Sequence, residues 1–521
     1  MRYVEIISPD QAAALVKDGD TLITSGFVNS CLPEALNCAL ERRFLDTGSP
    51  RALTLFYPSS QGGRGEIGGG DHFAHEGLLR RVIAGHYATA PKLASFCLAG
   101  KCEAYNLPQG ALVCLLRDIA GHRPGTITKV GLDTFADPKH GGGKVNECTK
   151  EELVETVRLL GEDWLLYKAF PIHVAFLRGT YADECGNVTL EKEAATTEVT
   201  SIAQAVKNSG GRVIVQVERI VEAGTLDPRL VKIPRIYVDA VVVAPPELHA
   251  QCMGEPFCPA LCGITREPGA RNCASPLTAK KLIARRAMLA LRKNAVVNLG
   301  VGAPEAIAAV AAEEGIDRQI TLTVESGVIG GNPQGGARFG SAQNPEAIID
   351  QPYQFDFYDG GGLDMAFLGL AQCDRRGNIN VSRFGSKLAG CGGFIDITQN
   401  AREVFFCGTF TTGRLKIAAA GGRLIIEQEG QNRKFIDTVS QITFSGQRAF
   451  ASAQRVLYIT ERCVFKLCEN GLRLTEIAPG IDLQTQILDL MDFSPDIDSS
   501  LKLMDARIFD PSPMGVSEIS Y

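Results

Sequence analysis

The 521-residue chain holds no apolar run near the roughly 20 residues that would span a bilayer. Its opening, MRYVEIISPDQ, carries no apolar segment of signal-peptide length. The expectation is therefore a cytoplasmic protein without a membrane partner. Excess positive charge is missing too. Lys and Arg number 53 against 59 Asp and Glu, for a net charge of -6. Nucleic-acid binders usually leave a basic footprint, so no nucleic-acid partner is expected. The 16 cysteines include no C-x-x-C pair. In a large chain without an export signal they read as free thiols. Cys252, Cys258, Cys262 and Cys273 come nearest to a metal cluster, but their spacing lacks the close pairs of zinc modules. No metal site is expected.

What the chain does contain is length, glycine and alternation. It is too long for one core, so two or more domains are expected. The 55 glycines imply many turns or close approaches of backbone to ligand. SPDQAAALVKDG offers Ser8 as an N-cap, Pro9 at the first helical position and Gly19 as a stop. LPEALNCALERRFLDTG and TKEELVETVRLLG read as helices. DTLITSG, RALTLFYPS, PKLASFCL, RVIVQVERIV and IYVDAVVVAPP read as strands. Alternating elements with fully apolar strands predict α/β domains with mostly parallel sheets covered by helices.

The chain also repeats itself. AFLRGTYADECGNVTL starts at Ala175 and AFLGLAQCDRRGNINV at Ala366, a shift of 366 − 175 = 191. Asp183, Gly186 and Asn187 fall on Asp374, Gly377 and Asn378. Pro33-Glu34 matches Pro304-Glu305 at a shift of 271, so the first copy carries about 80 extra residues. The expected place for them is the Gly-rich region from Gln61 to Gly143. Two homologous open α/β domains follow, residues 1–253 (enlarged) and 277–521, joined by a Pro, Gly and Cys-rich linker at 254–276. Aligning LTLFYPSS with TLTVESGV puts Pro58 opposite Glu325. The fold unit therefore does not require that carboxylate. One active residue in one copy, with the other copy as wall, predicts a site between the two domains.

Glu325 stands at the carboxyl end of a strand, where ligands gather in open α/β sheets. It reads as a base or nucleophile, or as a solvated loop charge. Gly300 and Gly302 in NLGVGAPEAI either let backbone N–H groups approach an anion or simply make a tight turn. Gly63-x-Gly65-x-x-Gly68 spells a dinucleotide fingerprint, but more glycines follow and no acidic residue stands about 20 positions on, so it reads as a decoy. His72, His75 and Glu76 in HFAHEG do not form H-E-x-x-H and read as polar side chains holding a helix N-terminus. Gln109 follows Pro108 in a fixed turn and could donate to a developing oxyanion or cap its own loop. KLAGCGGFIDI, with Gly390, Gly392 and Gly393, is an anion nest or a turn between strands.

Taken together, VESGVIGG, NLGVGAPEAI, YNLPQG, LAGCGGFIDI and EIAPGIDLQTQILDLMDFSP resemble the family I coenzyme A transferases. The similarity is greatest to the single-chain acetate or propionate branch. It runs over nearly the whole chain, with five motifs in order. The resemblance implies that Glu325 is the nucleophile. It implies oxyanion contacts from Gln109 and the backbone N–H near Gly393, and CoA contacts from Gly300, Gly302, Gly392 and Lys387. It further implies acyl-CoA and short carboxylic acids as substrates, no separate cofactor, and a homo-oligomer, dimer or tetramer. Two-subunit ketoacid relatives have Ser before the Glu and Asn-Gly after it. Here Val324 precedes it and Ser326-Gly327 follow, which weakens a 3-oxoacid preference. An acyl-CoA hydrolase, a 3-oxoacid CoA-transferase and an effector-binding sensor remain as alternatives, because fold alone does not choose.

Overall fold

The computed structural model describes residues 3–63, 68–268 and 276–519. Gly65 of the glycine fingerprint and Cys273 lie outside the described residues. The chain forms two compact units. The first is Met1–Glu267 with Val324–Phe357 and Arg383–Asp396. The second is Pro268–Thr323 with Tyr358–Ser382 and Ile397–Tyr521. Two stretches from the second half of the sequence thus belong to the first unit.

The first unit is built on an eight-stranded, wholly parallel sheet. Its strands are β1 (Glu5–Ile6), β2 (Thr21–Thr24), β3 (Leu53–Tyr57), β4 (Leu79–Ala84), β5 (Glu103–Asn106), β6 (Val174–Arg178), β7 (Arg212–Val217) and β8 (Ala240–Val243). They lie in the order β1-β8-β7-β6-β2-β3-β4-β5. Side chains alternate across the sheet, and both faces are buried, which explains the unbroken apolar strands. Ile23, Phe56, Ile83, Tyr105, Ala175 and Val215 enter one core. Their neighbours Leu22, Leu55, Val82, Ala104, Val174 and Ile214 enter the other. Helices α1 (Pro9–Ala14), α2 (Glu34–Thr47) and α3 (Pro91–Leu98) cover the second face, and α4 (Gln109–Ala120) and α5 (Val199–Asn208) the first. The Ser8 N-cap forms with Gln11 as a full capping box.

In the second unit α6 (Ala279–Met288) and α7 (Glu305–Glu313) pack on eight consecutive strands of a ten-stranded sheet. These are β9 (Val296–Leu299), β10 (Thr321–Val324), β11 (Met365–Gly369), β12 (Glu403–Cys407), β13 (Arg455–Ile459), β14 (Cys463–Cys468), β15 (Gly471–Ile477) and β16 (Asp496–Leu503). Its leading order, β13-β12-β11-β9-β10, reproduces β8-β7-β6-β2-β3 of the first unit. The repeated hairpins agree down to their hydrogen bonds. Asp183 Oδ1 accepts from the N–H groups of Cys185 and Asn187, both at 2.9 Å. Asp374 Oδ1 accepts from Arg376 N–H at 2.9 Å and Asn378 N–H at 3.0 Å. Gly186 (φ 96°) and Gly377 (φ 75°) take the left-handed position between them.

Four sequence expectations need correction. The glycines of KLAGCGGFIDI do not lead into a strand, because Phe394–Asn400 forms a helix. PKLASFCL is not a strand but helix α3. Pro91 presets its first turn, and the distant Asp71 caps it by accepting the Leu93 N–H at 2.9 Å. TKEELVETVRLLG is not a helix. Leu153, Val157 and Leu160 imitate helical spacing, but Val154–Leu159 pairs antiparallel with Glu162–Lys168. Leu160 (φ 51°) and Gly161 (φ 83°) form the two-residue turn of a tight hairpin, so the glycine is a hairpin signal and not a helix stop. The extra chain of the first copy also runs past Gly143. It includes β4, β5 and the three-stranded sheet that ends at Lys168.

Leu160 is fully exposed and holds a left-handed conformation that costs a branched side chain about 1 kcal/mol. Leu160→Asn should therefore raise the urea midpoint at unchanged m-value. A lower midpoint would show that the side chain stabilises the hairpin in some other way.

Candidate active site

Several chain crossings gather at the carboxyl ends of parallel strands, where such sheets collect ligands. β3 is followed by Pro58, β4 by Gly85, and β5 ends in Asn106 shortly before Gln109. β10 is followed directly by Glu325. Behind Glu325 the chain is pinned. Val324 packs with Ala195, Val328 and Ala342. Gly327 donates its N–H to Val324 O at 3.1 Å and accepts from Ile349 N–H at 2.9 Å. Its φ is 103°, and a Cβ there would lie 2.0 Å from Ile349 O, so only glycine fits. Ser326 Oγ donates to Gly340 O.

A second loop, Gly390 to Gly393, is laced onto β4, β5 and α4. Gly392 N–H donates to Gly85 O at 2.8 Å, and Gln109 N–H donates to Gly392 O at 3.0 Å. Cys391 N–H donates to Asn106 Oδ1 at 3.0 Å, while Asn106 Nδ2 donates to Gly85 O at 2.6 Å. The result brings the predicted residues together. A Cβ on Gly393 would stand 3.0 Å from Glu325 Oε2 and 3.1 Å from Phe355 Cζ. A Cβ on Gly392 would stand 3.6 Å from Gln109 Oε1. Two consecutive glycines thus leave room for the carboxylate beside one residue and the amide beside the other. Gln109 is buried, and its Nε2 has no hydrogen-bond partner among the described residues. A buried orphan donor is costly unless something completes it, which suits a group waiting for a ligand oxygen.

Glu325 keeps part of its surface open, yet its carboxyl sits deep enough for burial to push it up to about 7. A carboxylate held in this way is weakly solvated, half ionised near neutrality and reactive toward a carbonyl.

Glu325, Gln109, Gly392 and Gly393 all fall within the first compact unit, so parts of both sequence copies meet there. Lys387 belongs to the same unit and lies exposed on a short hairpin strand, Lys387–Leu388. Gly300 and Gly302 belong to the second. Gly300 is demanded by packing, since a Cβ would meet Leu368 Cδ2 at 2.6 Å, whereas Gly302 needs its φ of 100°. Pro304 stands at the N-cap position of α7 and makes no side-chain capping bond. The sequence reading passed over Gly85, Asn106 and Phe355. Asn106 was available inside YNLPQG, but its role depends on a loop 285 residues away. His72, His75 and Glu76 do not act as a trio, because Glu76 pairs with Lys101 at 2.6 Å while both histidines turn to α2. Cys252 Sγ sits 3.1 Å from Ser30 Oγ, and Cys262 Sγ donates to Pro259 O at 3.4 Å.

Known proteins resemble this chain in sequence and fold over nearly its whole length. A family model described as Coenzyme A transferase matches residues 6–244. Over 521 residues the chain is 46% identical to the caffeate CoA-transferase of Acetobacterium woodii, covering 99% of each. It is 43% identical to the acetate CoA-transferase YdiF of Escherichia coli (strain K12), covering 98% of this chain and 96% of that protein. The crystal structure of the acyl-CoA transferase YdiF apoenzyme from Escherichia coli O157:H7 superposes with a TM-score of 0.95 at 42% identity, covering 100% of this chain and 98% of that one.

A buried acid raised from 4.5 to about 7 destabilises the fold once it ionises. The penalty is absent below the unfolded value, grows between the two values and is complete above the folded one. Glu325→Gln should therefore melt higher than the parent at pH 8, with the gap closing as pH falls toward 4.5. A gap independent of pH would mean that ionisation of Glu325 is not its source.

Proposed function

Because this chain belongs to the coenzyme A transferase family, we propose that it moves CoA from a short-chain acyl-CoA to a free acid such as acetate, through a covalent glutamyl-CoA thioester on Glu325. The observation that carries this reading is a desolvated carboxylate so near Gly393 that a Cβ there would stand 3.0 Å from it, in the same loop cluster as the buried Gln109 amide.

In the first step Glu325 attacks the thioester carbonyl. A C–O bond forms, the C–S bond breaks, and CoA leaves as a thiolate while a mixed anhydride remains. The thiolate then attacks the glutamyl carbonyl, giving the glutamyl-CoA thioester and releasing the first acid as its carboxylate. The acceptor carboxylate repeats both steps in reverse. One thioester is broken as another is made, so the exchange costs little overall. Each step passes through a tetrahedral oxyanion. The Gln109 amide and the Gly393 N–H are the proposed donors, each worth about 3 kcal/mol in settings of this kind. Water must be kept from the thioester, or the enzyme becomes a hydrolase. Gly392 and Lys387 of the first unit are assigned to the CoA moiety, a backbone N–H and a cation being suited to its phosphates.

Two relatives support this reading and divide it. The acyl-CoA transferase YdiF of Escherichia coli O157:H7 has been solved as a thioester complex with CoA, and its counterpart in strain K12 is an acetate CoA-transferase. The Acetobacterium woodii relative is a caffeate CoA-transferase, which favours an aryl acid as a second acceptor class. A matrix of donors and acceptors spanning acetate, propionate and caffeate separates the two. Free CoA released without any acid would instead support hydrolysis.

Gln109→Ala should lower kcat by about a hundredfold while melting stays near the parental value. An unchanged kcat would return Gln109 to a loop-holding role. Double-reciprocal plots should give parallel lines, because the covalent route releases one product before the second substrate binds. The intermediate itself can be trapped by adding acyl-CoA without acceptor and reducing with borohydride. Peptide mapping should then find an alcohol at Glu325. Labelling at another residue would sink the nucleophile assignment.

A further inference from the structure

Away from Glu325, two elements of the first unit bring soft and hard metal donors together. Glu34 and Cys38 lie one turn apart on the same face of α2. His72 comes from the short turn Gly69–Phe73 and is buried. Donor atoms of all three lie within 4.8 Å of one another. Cys38 Sγ is 3.5 Å from His72 Nε2, and Glu34 Oε2 is 3.1 Å from the same nitrogen. A tetrahedral zinc ion with ordinary bond lengths would need edges of roughly 3.6 Å for S to N and roughly 3.3 Å for N to O. Both are met within the tolerance of such sites.

The surroundings orient these donors as metal sites require. His72 Nδ1 faces Glu41 Oε2, the carboxylate–histidine relay that fixes ring orientation and raises ligand basicity. The other Glu41 oxygen is held by His75 Nε2 at 2.7 Å. Glu34 Oε1 is occupied by Asn37 Nδ2 at 3.0 Å and Gly69 N–H at 2.9 Å, which turns Oε2 toward His72. A cavity of roughly 170 Å³, lined by Leu32, Glu34, Cys38, His72, Arg178 and Met253, adjoins the cluster. It is wide enough for water to complete a fourth position. The repeat adds an internal control. At the shift of 271, Cys38 falls on 38 + 271 = 309, which is Ala309, so the fold unit does not need the thiol.

We propose that Glu34, Cys38 and His72 bind one zinc-type divalent cation, with Glu41 and His75 as the supporting relay and the fourth position open to the cavity. The cysteine binds as thiolate and the histidine as neutral imidazole, so their protons pass to solvent. The competing account is a metal-free clamp in which His72 is held between two carboxylates.

Cobalt(II) distinguishes them, because thiolate ligation adds a sulfur-to-cobalt charge-transfer band. The full chain, freed of metal with a chelator and desalted, should retain one cobalt per chain and show that band. The band should disappear in Cys38→Ser and persist in Cys148→Ser, at an exposed thiol elsewhere. His72→Asn should lose the retained cobalt. Glu41→Gln should weaken binding by about 10- to 100-fold. Zinc should displace the cobalt and raise the melting temperature of the parent protein. No retained cobalt, retention without the band, or a band that survives Cys38→Ser would overturn the site and leave the ionic clamp.

Discussion

The site depends on one close approach of backbone to backbone. The loop from Gly390 to Gly393 lies against the end of β4 and the start of α4 through hydrogen bonds from Gly392 to Gly85 and from Gln109 to Gly392. Side chains would prevent this. A Cβ on Gly85 would sit 2.0 Å from Pro58 O, and one on Gly390 would sit 2.8 Å from His86 Cα. Because the loop can lie so near, Gly393 reaches Glu325 and Gly392 reaches Gln109. The glycines so frequent in the composition are what let a carboxylate, an amide and a glycine backbone come close together.

That closeness has an electrostatic consequence. The Glu325 carboxyl is the one that burial deprives of water, which raises it to about 7. Full hydration would make it a poorer nucleophile, and complete enclosure would leave it protonated. The pinned turn at Gly327 and the apolar packing around Val324 hold it between these limits. The orphaned Nε2 of Gln109 belongs to the same compromise. Both groups are unfavourable for folding and useful for chemistry, a common property of functional sites.

Duplication explains how such a site could be assembled on a framework that does not depend on it. Each unit carries the same strand order and the same Asp–Gly–Asn hairpin, so either framework stands without the nucleophile. At the position of Glu325 the first copy has Pro58, whose carbonyl instead closes over Gly85 and so helps seat the glycine loop. The same position in the two repeats therefore supplies a buried carboxylate once and part of its surroundings once.

Much of this was legible in the letters alone. The apolar strands required sheets buried on both faces, the twin motifs required duplication, and the contrast of Pro58 with Glu325 marked the carboxylate as dispensable to the fold. The Ser8 cap and the turns at Gly186 and Gly377 were local and could be read locally. Misreadings arose where a distant partner decided the outcome. Asp71 caps α3 from another part of the chain, and pairing with Glu162–Lys168 turned an apparent helix into a strand. Asn106 and Gly85 gained their roles from a loop nearly 300 positions away. The meeting of Glu34, Cys38 and His72 has no sequence spacing that announces it. Periodicity and turn chemistry act between neighbours, so the sequence by itself determined elements, repeat and candidate nucleophile. Which side chains share a cavity, and how far water is kept from them, depends on long-range packing that only the tertiary structure decided.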